Sequence, residues 1–368
     1  MATVRDLLKA IDARYPLARA EKWDKTGLLI GDAQAPVQRV LVAHEVTAQT
    51  IEEARGHEAL VVYHPPIFRA LENLDFKNHT ARLAAQCIAQ GLNVIAVHTA
   101  LDGAPQPHAL GDKLAEELGL QNMQVLKPSG YEPLFKIVVF VPPEALDKVS
   151  NAMWNAGAGN IGNYDRAAFR NKGTGTFRPL PGADPYDGEI GKQQEADEWR
   201  LEVIVPATQR DEVIRAMQAA HPYEEVAYDA YPLHNMAEPF GAARMGELQA
   251  STRLHDFAQQ AAVNLRAPSL RLVDSGRDEV RKVACVPGAG ASYIEAAARA
   301  GCDCLVSGDF KHHDALMAQA HGLSLIDVTH TATERAAIGM MADALGSLQD
   351  VEIVRSAIDT NPFQTQSE

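Results

Sequence analysis

The chain has 368 residues, 46% of them hydrophobic, which is enough for two domains or for one domain carrying an insertion. Its 48 acidic against 34 basic residues give a formal net charge of -14, which argues against a nucleic-acid binder or an acidic-membrane binder and leaves an excess that bound divalent cations would offset. Cys87, Cys285, Cys302 and Cys304 lack a Cys-x-x-Cys spacing, so neither a zinc ribbon nor a disulfide framework is expected.

Residues 1–15 alternate charged and apolar side chains at helical spacing and lack the apolar core of a signal peptide. No stretch is long and apolar enough to span a bilayer, so a cytoplasmic protein without membrane contact is expected. Glu21-Lys22-Trp23-Asp24-Lys25-Thr26-Gly27 is a turn-rich approach to a first strand, with Trp23 read as a packing residue. Val40-Leu41-Val42-Ala43 reads as a buried strand ending at His44-Glu45, and Thr47 or Thr50 caps the helix after it. A second strand, Ala59-Leu60-Val61-Val62, ends at Tyr63-His64-Pro65-Pro66. The two prolines bar both a longer strand and an immediate helix, so His64 is held at the strand's carboxyl end. A helix over 80–90, a stop at Gly91 and a strand over 92–97 lead to His98-Thr99-Ala100-Leu101-Asp102. This β-α-β-α order predicts a mainly parallel sheet with helices on both faces.

The grammar then changes. Residues 137–153 and 201–217 match at a constant offset of 64, with Val141-Pro142 against Val205-Pro206 and Ala152-Met153 against Ala216-Met217. Two copies of strand, Val-Pro turn and amphipathic helix predict a duplicated, ferredoxin-like unit of the split βαβ kind. Residues 171–196, rich in Gly, Pro and charge, read as a long exposed loop, and His221 of His-Pro-Tyr-Glu-Glu reads as a hydrogen-bonded turn residue in preference to a metal ligand.

The alternation of the first part returns late. Val283-Ala284-Cys285-Val286 ends at Pro287-Gly288-Ala289-Gly290, a turn read as tight packing in preference to a phosphate cradle. Cys304-Leu305-Val306 ends at Ser307-Gly308-Asp309-Phe310-Lys311-His312-His313. A strand over 323–328 runs to His330, and a helix starting near Thr329 puts His330 and Glu334 on one face, one turn apart. Residues 359–368 read as a frayed polar tail. Strand ends thus deliver His64, Asp102, His330 and Glu334, a mixed nitrogen and carboxylate set that suits zinc, manganese or iron(II), at the place where open α/β sheets bind ligands. By position, Glu45, His98, His312 or His313 would move protons, and Lys311 would meet a phosphate.

The stretches WDKTGL from Trp23, YHPPIF from Tyr63, HTALD from His98, GAG from Gly288, SGDFKHHD from Ser307 and THTATE from Thr329 together resemble the Nif-three-like dinuclear-metal family, often labelled GTP cyclohydrolase 1 type 2 homologues. The segment 128–233, with its GAGNIGNY and HPYEEVAY tails, is similar to the PII-like insertion of the longer members. The resemblance implies a two-lobed α/β metal-binding domain over 1–127 and 236–368, interrupted over 128–235 by the ferredoxin-like, PII-like insertion. It further implies a pocket for one or two divalent ions with metal roles for His64, Asp102, His330 and a bridging Glu334, and a toroidal homohexamer. The chain departs from the family pattern at Tyr63, where many members have the first of two adjacent histidines, and at Lys25, Glu45 and Gly111. A tyrosine, with an ordinary pKa of about 10, ligates only where the metal drives off its proton. The second ion is therefore expected to be weak, held by tyrosinate, or helped by His98. Two functions follow: a metal-dependent hydrolase acting on a nucleotide or a phosphorylated heterocycle, or a non-enzymatic regulatory or metal-handling protein whose insertion senses a ligand or recruits a partner.

Overall fold

The computed structural model describes residues 1–235 and 237–363. Its contacts divide the chain into two compact units, Met1–Gly130 with Phe240–Glu368, and Tyr131–Pro239.

The first unit holds two sheets. In the five-stranded sheet the order is Gly27–Ile30, Asn93–Ala96, Ala59–Val62, Arg39–Ala43 and Glu352–Arg355; the last four run parallel and Gly27–Ile30 is antiparallel. Apolar runs form these strands because both sheet faces are covered, and alternate side chains feed two cores. Val40, Val42, Val61 and Ile95 pack with Val4, Leu7 and Ile11 of the helix Val4–Arg14, whereas Leu41, Leu60, Val62 and Val94 pack with Leu83, Ala84 and Cys87 of the helix His79–Ala89. Both threonines proposed as caps are used. Thr47 accepts from the Thr50 amide at 3.1 Å while the Thr50 hydroxyl accepts from the Thr47 amide at 2.8 Å.

In the six-stranded sheet the order is Arg271–Val273, Ser324–Asp327, Cys304–Gly308, Glu279–Ala289, Arg244–Arg253 and Gln121–Val125. Only the three buried strands 279–289, 304–308 and 324–327 are mutually parallel. The flanking strands run antiparallel, and the edge strand Gln121–Val125 is largely exposed, as antiparallel pairing tolerates. The strand Glu279–Ala289 continues through Pro287, beyond the expected end at 286. Its pairing jumps from Cys285↔Val306 to Ala289↔Gly308, an irregularity that spares the proline a ladder bond. The tail expected over 359–368 is described only to residue 363; residues 364–368 lie outside the described residues. Its approach is tied down by the Ser356 amide on Val42 O at 2.8 Å.

A buried ion pair joins the two sequence halves of this unit. The guanidinium of Arg244, fully buried on the strand Arg244–Arg253, grips Asp112 of the helix Leu110–Glu117 through Nε at 2.5 Å and Nη2 at 3.1 Å. Next to it Gly111 leaves no space for a side chain, since a Cβ there would lie 2.2 Å from Ala242 O.

The second unit follows strand Leu134–Val141, helix Leu146–Asn155, strands Ala168–Phe177 and Gln194–Pro206, helix Arg210–Ala220 and strand Tyr228–Leu233. All three pairings are antiparallel, with the first strand between the last and the third, which is the split βαβ plan. Positions equivalent at the offset of 64 share its core: Ile137 with Leu201, Val149 with Val213, Met153 with Met217. The loop expected over 171–196 is shorter than the sequence implies. Residues 171–177 and 194–200 pair from Asn171↔Arg200 to Phe177↔Gln194, and only 178–193 connect them. This ribbon is mostly exposed, so glycine and charge are tolerated and no apolar alternation marks it as strand. His221 is the satisfied turn residue expected, its Nε2 on Phe140 O at 3.0 Å and its Nδ1 accepting from the Tyr223 amide at 3.1 Å. Among the described residues no helix is long and apolar enough to cross a membrane.

Replacing Asp112 by alanine leaves a buried guanidinium without its carboxylate, and the expected loss is about 3–5 kcal/mol. A urea titration of the variant should show a clearly lower unfolding midpoint; an unchanged midpoint contradicts the role given to this pair.

Candidate metal centre

Strand ends of both sheets supply the site. His44 and Glu45 follow the strand Arg39–Ala43, Tyr63 and His64 follow Ala59–Val62, and His98 caps the short helix after Asn93–Ala96. From the other sheet, Asp309 follows Cys304–Gly308, and His330 begins the helix His330–Glu334 beyond Ser324–Asp327. The backbone turns sharply at these ends. His98, Asp309 and Thr329 have φ of 34°, 60° and 74°, left-handed values that cost a non-glycine residue roughly 1–3 kcal/mol each and that the surrounding packing must sustain.

The carboxylate of Glu334 is the centre of the cluster. Its Oε2 lies 3.1 Å from Nε2 of His44, 3.1 Å from Nε2 of His330 and 3.4 Å from Nε2 of His64. The rings of His64 and His330, residues far apart in sequence, are 5.6 Å apart. Carboxylates orient two of the imidazoles through their other nitrogens: Glu45 Oε1 is 3.1 Å from His64 Nδ1 and Asp309 Oδ2 is 2.8 Å from His330 Nδ1. Gly288 closes over Glu334 with φ of 71°, and a Cβ there would lie 2.5 Å from Glu334 Oε1. The glycine-rich turn is thus tight packing against the cluster.

Burial opposes charge on every one of these groups, yet their mutual hydrogen bonds prevail. Glu334 is buried, but its bonds to His330, His44 and His64 hold it well below the usual carboxylate range. Burial disfavours the imidazolium of His64, and the bonds to Glu334 and Glu45 override it, pushing His64 up to about 10; His330, bonded to Glu334 and Asp309, rises in the same way to about 9. Glu45, with His44 Nδ1 at 3.7 Å and hydrogen-bonded to His64 Nδ1 at 3.1 Å, falls to about 2. The charge balance therefore calls for positive charge among the ring nitrogens, supplied by protons or by a cation. Donor atoms of His44, His64 and Glu334 all lie within 4.8 Å of one another, and imidazole with carboxylate is the donor set of zinc, manganese and iron(II).

Of the residues expected from the sequence, His64, His330 and Glu334 are brought together. Asp102 lies in the wall of the same cavity but accepts from the Tyr63 hydroxyl at 2.9 Å; burial raises its pKa to about 7. Burial and the charges of Asp102 and Glu334 keep the Tyr63 hydroxyl protonated. His98 turns its Nδ1 to Asp24 Oδ1 at 2.9 Å, with its ring 5.1 Å from that of His64. Lys311 and His312 line a separate cavity beside Arg271 and Phe310, and the rings of His312 and His313 pack on each other at 5.4 Å, so this trio is not brought to the cluster. His44 was not singled out, although the signal was available: it ends a buried strand as His64 and His98 end theirs. Trp23 is not a core residue. It is 55% exposed, meets Phe68 and His98 with its ring, and lines the cavity of about 550 Å³ above His64, Asp102 and His330.

A family profile described as Duf34/NIF3 (NGG1p interacting factor 3) matches residues 2–362. A protein of Halalkalibacterium halodurans named GTP cyclohydrolase 1 type 2 homolog is 38% identical over 99% of both chains, and one of the same name from Bacillus subtilis is 37% identical over 98% of this chain and 97% of its own. Among solved structures, a Bacillus cereus protein related to NIF3 superposes with a TM-score of 0.89 at 36% identity, over 99% of each chain.

Asp309→Ala removes the carboxylate that orients His330, and divalent-metal affinity should fall by about 10–100-fold, measured by competition with a chelating dye. Glu334→Ala should abolish binding in the same assay. Native affinity in either variant contradicts the cluster as the metal centre.

Proposed function

The chain belongs to the Duf34/NIF3 family, and from that premise we propose that it is a divalent-metal-binding hydrolase of the GTP cyclohydrolase 1 type 2 kind, acting on a nucleotide or a phosphorylated heterocycle. The observation that carries this reading is the convergence of three imidazoles on one buried carboxylate at a cavity of about 550 Å³, a size suited to a small-molecule substrate. His44, His64, His330 and Glu334 would hold an ion of zinc, manganese or iron. Asp102 stands in the wall of the same cavity for a second. When bound, such an ion supplies the Lewis acidity that activates water for hydrolysis.

The chain's own groups do the rest. His98, fixed by Asp24, presents its remaining nitrogen to take up or release a proton. Trp23 offers an exposed indole on which a heterocycle stacks. Lys127, held 5.5 Å over the Tyr293 ring, and Arg19 bring positive charge to the cavity wall, where a substrate phosphate is attracted. The sequence resemblance supports a toroidal homohexamer as the working form.

A second reading, a regulatory protein with a ligand-sensing insertion, is favoured by a cavity of about 600 Å³ within the second unit, lined by Phe140, Tyr186, Glu198 and Tyr223. Under that reading small-molecule binding follows Tyr223→Ala and is indifferent to Glu334→Ala.

Protein loaded with zinc, manganese or iron(II) and given GTP and other nucleotides should release formate or another hydrolysis product, and Glu334→Ala should abolish it. His98→Ala should lower kcat by about 10²–10⁴-fold. No turnover above that of Glu334→Ala with any metal overturns the hydrolase reading.

A further inference from the structure

The metal cluster is approached by two cavities. His64, His330 and Glu334 line the one described above, but His44 does not; it lines another, of about 430 Å³, together with Thr331, Arg335 and Thr360. This second cavity is basic. Arg266, Arg335 and Arg355 all contribute to its wall, in a chain whose formal net charge is -14.

The arginines are not occupied with one another's neutralisation. Among the described residues the guanidiniums of Arg266 and Arg335 carry no hydrogen bond or ion pair, and Glu117 is an electrostatic neighbour of Arg266; Arg355 is bonded to Asp343 at 2.6 Å. One carboxylate, Asp359, shares the lining. Thr331 also lines this cavity, and among the described residues its buried hydroxyl oxygen has no hydrogen-bond partner. A buried hydroxyl without a partner is costly unless a ligand or water satisfies it. Arg335 directly follows Glu334, and the Thr360 hydroxyl lies 3.5 Å from His44 Nδ1, so the wall of this cavity is continuous with the residues of the metal cluster.

We propose that the cavity bounded by Arg266, Arg335, Arg355 and Thr331 binds the phosphoryl group of a small anionic ligand. Guanidinium forks present several N–H donors to the oxygens of a tetrahedral phosphoryl group. Arg355 is paired with Asp343, which leaves the guanidiniums of Arg266 and Arg335 to draw an anion against the lining carboxylate of Asp359, and their several donors suit the oxygens of a phosphoryl group better than the two of a carboxylate. The volume exceeds that of a bare phosphate and lies within the range of small-ligand sites, so the phosphoryl group is one end of a larger molecule. The site does not depend on hydrolysis at the metal centre; it goes beyond that reading.

The test uses the full-length protein freed of metal with a chelator, so that no ion competes for the probe. Inorganic phosphate and pyrophosphate are titrated by calorimetry, with acetate as the comparison. Saturable binding of phosphate or pyrophosphate is expected, weakened about tenfold or more by Arg335→Ala and by Arg266→Ala and lost in the double variant. Both side chains are exposed, and retention of added zinc by the variants verifies that they fold. Absence of saturable binding, binding unchanged in the double variant, or acetate binding as tightly as phosphate each overturns the proposal. Failure of nucleotide turnover leaves this titration unaffected, so the two readings fall separately.

Discussion

The burial of one carboxylate governs the unit formed by residues 1–130 and 240–363. An ionised Glu334 withdrawn from water is strongly unfavourable unless charge-complementary donors surround it. The fold meets that demand with three imidazoles, each at the carboxyl end of a different strand, and with a glycine at 288 because any side chain there would strike the carboxylate. Gly308 follows the same logic: a Cβ would lie 2.4 Å from the amide of His330, so the strand Cys304–Gly308 passes close enough to press that histidine into place. The left-handed backbones of His98, Asp309 and Thr329 are local costs sustained to aim side chains at one point.

Such aiming requires that parts far apart in sequence be held rigidly within the unit. The parallel strands Arg39–Ala43 and Ala59–Val62 fix His44 beside His64, whose amide bonds to His44 O at 3.0 Å. Across the insertion, Arg244 and Asp112 lock the first half of the unit to the second without exposure to water. The Tyr131–Pro239 unit has its own core, built from the duplicated strand and helix.

Much of this was legible in the sequence because apolar runs mark buried strands and prolines mark their ends. Leu60, Val61 and Val62 announce a strand, Pro65 and Pro66 stop it, and His64 is stranded between them; His330 and Glu334 are paired by helical spacing alone. What was not legible is what lacks such a signal. In the ribbon over 171–177 and 194–200 the first strand is mostly exposed and the second mostly half-buried, and neither shows apolar alternation. Trp23 looked like core because large aromatic side chains are usually buried, yet the cavity holds it at the surface. Lys311, His312 and His313 follow a strand end as the cluster residues do, but Lys311 and His312 line a separate cavity beside Arg271 and Phe310.

His44 and Tyr63 are best understood together. Tyr63 stands where the family pattern has a histidine, and its hydroxyl, bonded to Asp102 and kept protonated by burial, offers no nitrogen. The neighbouring strand ends on His44, whose ring stacks on that of Tyr63 at 5.5 Å with an interplanar angle of 20° and whose Nε2 reaches Glu334. Parallel strands in register bring their ends side by side, so an imidazole on the adjacent strand can approach the same carboxylate. Three imidazole nitrogens thus face Glu334 although residue 63 is a tyrosine. Asp102 accepts the phenol's hydrogen bond, which favours its ionised form, but burial outweighs that bond and raises its pKa to about 7.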